Sequence, residues 1–244
     1  MDSSLAFLAA LAATVFAGDL WRDYRRRPRP HIVAYGTGMT MFAVATWAFF
    51  IGLNFGWTGP GYRTFYLFGA TLNIPFLALG SMFLVVGRRS GHVMAIALGA
   101  FTAISTTLTA TVPVANPLPE SGVPHEIFAK GFGPWLFAVI GGAAGTTILV
   151  ALALVSVFRF WRKNRRIVWG NILIVAGTLA AASGGTGLAL GEGSAFAVSL
   201  LAAVTLIWAG YKVASGGRRT GVAETAGSAA DVAHLDPRPD ADRL

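Results

Sequence analysis

The chain has 244 residues, of which 55% are hydrophobic and only 12% charged, roughly half the charged share of an average soluble domain. A water-soluble fold so poor in charge cannot cover its own surface. The net charge of +8 therefore reads as cations at helix ends beside anionic lipid headgroups, and not as a nucleic-acid footprint. The absence of cysteine excludes disulfides, thiolate nucleophiles and Cys-ligated zinc, iron–sulfur or haem.

Seven apolar segments follow one another, roughly 3–21, 32–55, 64–86, 92–112, 134–158, 167–190 and 194–214. At about 1.5 Å per residue each is long enough to cross a hydrocarbon core of about 30 Å, with some tilt or mismatch. No positive charge precedes the first segment, and Arg22, Arg25, Arg26, Arg27 and Arg29 follow it. A secretory signal has the reverse polarity, so the first helix is expected to be retained. With the amino terminus outside, seventeen of the nineteen Lys and Arg residues fall on the cytoplasmic side, leaving Arg63 and Lys130 outside; an even number of helices would break this alternation. The expectation is an all-α, polytopic bundle of seven transmembrane helices over 1–214, multi-pass in the plasma membrane (a bacterial inner membrane), with the carboxyl terminus in the cytoplasm. Trp57 and Trp135 fall at its outer boundary and Trp21, Trp161 and Trp169 at its inner one, while Trp47 and Trp208 lie deeper and should pack between helices.

The third segment contains Asn73-Ile74-Pro75. Proline removes a backbone donor and frees a carbonyl about one turn earlier, near Thr71, so a kink is expected there, and a gate at the kink is the further possibility. The fourth segment carries Thr102, Thr106 and Thr109 along one face, with Ser105, Thr107 and Thr111 nearby. Such hydroxyls either line a polar path or bond the carbonyl three or four residues back. The loop 113–133 is broken by Pro113, Pro117, Pro119 and Pro124 and is expected to form an irregular outer cap. Within it Glu120, His125 and Glu126 could join Arg63 and Glu192 in an outer polar cluster.

The fifth segment has Gly141-x-x-x-Gly145, and the sixth has Gly170, Gly177, Gly184 and Gly191 at a strict seven-residue spacing, with Gly185 and Gly187 between. In lipid, where burying apolar surface does not drive association, glycine faces let another helix approach closely. They are expected to be helix-packing surfaces, within the bundle or between protomers. From about 215 the chain is rich in Gly, Ala, Asp, Arg and Pro, the composition of a disordered cytoplasmic tail over 215–244.

Ionisable residues inside the membrane usually mark ion paths or proton relays, and here there are almost none. Asp19 lies near the inner end of the first helix, within reach of headgroups or an inner arginine. Lys212 lies at the inner end of the seventh helix, where snorkelling accounts for it and a retinal-type linkage is disfavoured. His31 and His92 both open helices, but nothing in their spacing recommends haem, and His125-Glu126 lacks the second histidine of a zinc-hydrolase motif. The expectation is no catalytic set, no metal and no cofactor.

Trp21-Arg22-x-x-Arg25-Arg26 recurs as Trp161-Arg162-x-x-Arg165-Arg166, which fits either a three-plus-one-plus-three duplication or the Trp-Arg pairing common to inner helix ends. Arg27-Pro28-Arg29-Pro30-His31, YLFGATLN at 66–73 and GEGSAFA at 191–197 resemble the pattern of small seven-helix membrane proteins of high-GC actinobacteria. Sixteen arginines against three lysines fit such a genome, and the resemblance implies no activity. The expected role is a non-catalytic accessory or receptor-like subunit that binds a membrane partner or an apolar ligand. Its partners are then membrane lipids, and another membrane protein or a second copy of itself as a homo-oligomer. A transporter or channel for a small neutral or lipid-like molecule is the alternative. A lipid-acting enzyme using Glu120, His125 and Glu126 ranks last.

Overall fold

The chain's helices are long because their interiors contain few breakers, and the first four end beside glycine or proline. The computed structural model describes residues 2–114, 117–118, 128, 133–160, 165–189 and 195–214. Among these the secondary structure is helical throughout, and seven helices are long and apolar enough to cross a membrane. They are α1 (Asp2–Arg26), α2 (Pro30–Phe55), α3 (Gly59–Val85), α4 (Arg88–Thr111), α5 (Pro134–Phe160), α6 (Arg165–Ala189) and α7 (Ala195–Ala214). The predicted tail 215–244 and most of the predicted outer cap lie outside the described residues.

Helix α1 runs through the arginine cluster to Arg26 and does not stop near 21. The break falls at 27–29, ahead of Pro30, because proline's missing N–H is tolerated in the first turn of the next helix. The chain reverses between α2 and α3 on Gly56, with φ of 83°, and between α3 and α4 on Gly87, with φ of 125°, conformations open to glycine at little steric cost. Helix α3 begins at Gly59, earlier than the apolar run alone suggests, because Thr58 caps it: its hydroxyl accepts from the Gly61 N–H at 3.2 Å.

Small residues set the packing. Ala6, Ala9, Ala10, Ala13 and Ala17 form a buried stripe along α1 at helical spacing, and α1 lies against α2. Two indoles reach between these helices, Trp47 Nε1 donating to Thr14 Oγ1 and Trp21 Nε1 to Thr40 Oγ1, each at 3.0 Å. Both threonines donate in turn to the carbonyl four residues back. Helix α2 also packs on α3, α3 on α5, and α5 on α6. Helix α7 returns to α1 and α2 through Phe16–Trp208, with ring centroids 6.0 Å apart, and Phe49–Phe196, at 5.1 Å. Helix α4 stays at the periphery, where only 17% of its apolar window is buried, the lowest share of the seven spans.

Candidate functional site

Mid-length in α3 the backbone leaves the α-helical pattern. Tyr66–Leu72 is π-helical, and the α-helix resumes at Asn73. The Thr71 hydroxyl accordingly donates five residues back, to the Tyr66 carbonyl, in a long bond of 3.4 Å. Pro75 follows in the first turn of the resumed helix, where it denies the Thr71 carbonyl its usual donor four residues on. The sequence pointed to a kink at Pro75; the additional π turn has no comparable signature in YLFGATL. Such turns are rare and occur often at functional sites.

Glycines from two neighbours close on this break. Gly141 of α5 faces the Thr71 carbonyl, and a side chain at Gly145 would begin 3.0 Å from the Pro75 nitrogen. From α2, a side chain at Gly38 would begin 3.1 Å from the Asn73 carbonyl oxygen. The irregular backbone is thus buried in protein, the condition on which it persists at membrane depth.

Asn73 is 5% exposed, and among the described residues its Oδ1 has no hydrogen-bond partner. It lines a small central cavity of about 10 Å³ between α2, α3, α6 and α7, together with Met39, Phe42, Leu77, Thr178 and Ile207. Thr178 is the second polar group there, and its hydroxyl donates to the Ile174 carbonyl at 2.9 Å. Sequence reasoning singled out Asn73 and Pro75 but not Thr178, which follows Gly177 in a helix read only for its glycines.

The hydroxyls of α4 do not share one surface. Thr102 is half-buried and donates to the Leu98 carbonyl, Thr106 is exposed, and Thr109 is buried, its hydroxyl without a partner among the described residues. Thr107 and Thr111 each bond back to the carbonyl four residues earlier. None of these threonines lines the Asn73 cavity.

The glycines of α6 face α7. Side chains at Gly170 and Gly177 would begin 2.8 Å from the carbonyl oxygens of Gly210 and Ala203, and Gly184 lies against Ser199. Gly191 lies outside the described residues, as do Glu120, His125, Glu126 and Glu192 of the predicted outer cluster. Arg63, its remaining member, donates to the carbonyls of Thr109 and, at 2.9 Å, Val112, with its guanidinium 5.7 Å from the Phe128 ring. Phe128 is buried against Tyr62 and Tyr66.

A second polar assembly joins α1 to α7 at the arginine-rich end. Asp19 pairs with Lys212 at 2.8 Å and with Arg22 at 3.1 Å, and Tyr211 donates to Asp23 at 2.8 Å. The sequence offered Asp19 an arginine; it did not bring Lys212 to it, because nothing in the pattern says that the first and last helices are neighbours. A comparison with known protein families, curated proteins and solved structures finds no match to this chain.

Proposed function

We propose that the protein is an integral plasma-membrane protein that binds a small neutral or lipid-like molecule at the centre of its bundle and passes it across, as a transporter or channel and not as an enzyme. One observation carries this reading: the buried side-chain oxygen of Asn73, with no hydrogen-bond partner among the described residues, stands at a π-helical and proline break in the middle of α3. Interrupted spans with polar groups turned to a cavity are where membrane transporters keep their substrate sites. The positive-inside pattern supports an amino terminus outside and a cytoplasmic carboxyl terminus.

The test is solute uptake into proteoliposomes over a panel of small neutral molecules, comparing the parent with Asn73→Ala. The reading requires at least one solute whose uptake exceeds that of empty vesicles and falls at least about tenfold in the variant, the change produced by roughly 1.4 kcal/mol. Equal uptake by parent, variant and empty vesicles across the panel removes it.

An accessory or receptor-like subunit is the second reading, favoured by α4. That helix is the least buried span, and a side chain at its Gly99 would meet nothing within 4 Å. Gly141, Gly145, Gly170, Gly177 and Gly184 do not serve this reading, since all five face helices of the same chain. Stoichiometric co-elution of a second membrane protein or a second copy in native-lipid discs, without solute flux, is the outcome it requires.

A further inference from the structure

The cavity beside Asn73 has walls of a definite chemistry. Met39, Phe42, Leu77, Val204 and Ile207 are apolar, and none of the described residues that line it is ionisable. An ion entering it would find no counter-charge and would bear the cost of its own desolvation. Both polar groups are left with acceptor capacity. Asn73 Oδ1 meets no donor among the described residues, and the Thr178 hydroxyl commits its proton to Ile174, which leaves its oxygen free to accept. The volume of about 10 Å³ is the space taken by one water-sized group.

We propose that this cavity is a binding site for a neutral hydrogen-bond donor, held by Asn73 and Thr178. Either a single water or the hydroxyl or amide head of a small solute has the required chemistry. The inference deepens the transport reading and rests on it for the passage of the occupant, while occupancy itself is measured separately.

The experiment uses the full chain in lipid discs. Thermal unfolding is followed with formamide and ethylene glycol as donor probes and acetone as an acceptor-only probe, in the parent, Asn73→Leu and Thr178→Val. In parallel, a crystal structure of the parent is examined for density between the Asn73 and Thr178 side chains. A saturable rise in Tm of about 2–4 °C with the donor probes, absent with acetone and absent in Asn73→Leu, identifies a solute head as the occupant. No shift with any probe, together with a density peak at hydrogen-bond distance from Asn73 Oδ1, identifies water. Thr178→Val, close in shape to the parent, must weaken the probe response or remove the density, which keeps the test decisive if Asn73→Leu does not fold. A probe shift retained in both variants overturns the proposal, as does the absence of both shift and density. A filled site in a protein that moves no solute removes the transport reading and leaves this one; flux through a protein whose site is empty does the reverse.

Discussion

Gly141 of α5 sits against the carbonyl of Thr71 in α3, the carbonyl that Pro75 leaves without its helical donor. A Cα hydrogen can make a weak contact to such an oxygen, whereas a methyl group at the same place collides with it. Gly141→Ala is therefore predicted to destabilise the bundle by about 1–3 kcal/mol, the usual cost of overpacking. Gly142→Ala, one residue on, enters open space and should be neutral or gain up to about 1 kcal/mol from helix propensity. Thermal unfolding of the two variants in lipid discs decides the matter, and equal midpoints would show that the contact does not constrain the break.

The same comparison applies to α6. Gly177→Ala would place its methyl 2.8 Å from the Ala203 carbonyl, while Gly185→Ala would meet nothing within 4 Å. We expect the first to loosen α6 from α7, with faster hydrogen exchange across 199–210, and the second to leave exchange there unchanged. Matching exchange profiles would mean that the seven-residue glycine spacing does not set this interface.

These contacts show where the sequence was informative. Apolar length and glycine spacing are local properties, so seven spans and the close-packing faces of α5 and α6 could be read directly. Pro75 announced a break in α3 because its chemistry is independent of the surroundings. The π turn before it was not legible, since nothing in the composition of Tyr66–Leu72 distinguishes a turn with an extra residue from an ordinary α-helical one. Which helix meets which glycine face is non-local, and so is the sharing of one cavity by Asn73 and Thr178, 105 residues apart in the chain. Lys212 illustrates the same limit: read alone it is a snorkelling lysine, and only the adjacency of α1 and α7 gives it Asp19.

That ion pair should contribute little. Lys212 is 54% exposed and Asp19 16%, and pairs open to solvent are worth about 0.2–1 kcal/mol. A double-mutant cycle with Asp19→Asn and Lys212→Met is expected to give a coupling energy in that range, smaller at high salt because exposed charges are screened. A coupling of several kcal/mol that ignores salt would instead mean that the pair is shielded from water in the membrane.

Arg63 is predicted to matter more than its position near a helix end suggests. Its guanidinium donates to two carbonyls at the end of α4 and lies near the Phe128 ring, so it ties α3, α4 and part of the following loop together. Lysine keeps the charge but not the planar fork. Arg63→Lys should therefore cost about 1.5–3 kcal/mol, the range for a hydrogen bond to a charged group, and should speed amide exchange over 109–112. Unchanged exchange there would show that α4 ends without its help.

The orientation can be tested cleanly because the chain contains no cysteine, so each introduced thiol reports alone. Ser3 lies in the first turn of α1, and Ser90 and Arg89 in the first turn of α4. In an up-and-down bundle these two turns lie at opposite ends. Arg22, Arg25 and Arg26 lie at the end of α1 and Arg27 and Arg29 just beyond it, and Arg88 and Arg89 open α4, so the positive-inside rule places the α4 turn in the cytoplasm. A membrane-impermeant maleimide added to intact cells should label Ser3→Cys and spare Ser90→Cys, with both labelled after the membrane is opened. The reverse pattern would invert the bundle, and it would place the Asp19–Lys212 pair on the outer side, where it would be exposed to whatever pH and salt surround the cell.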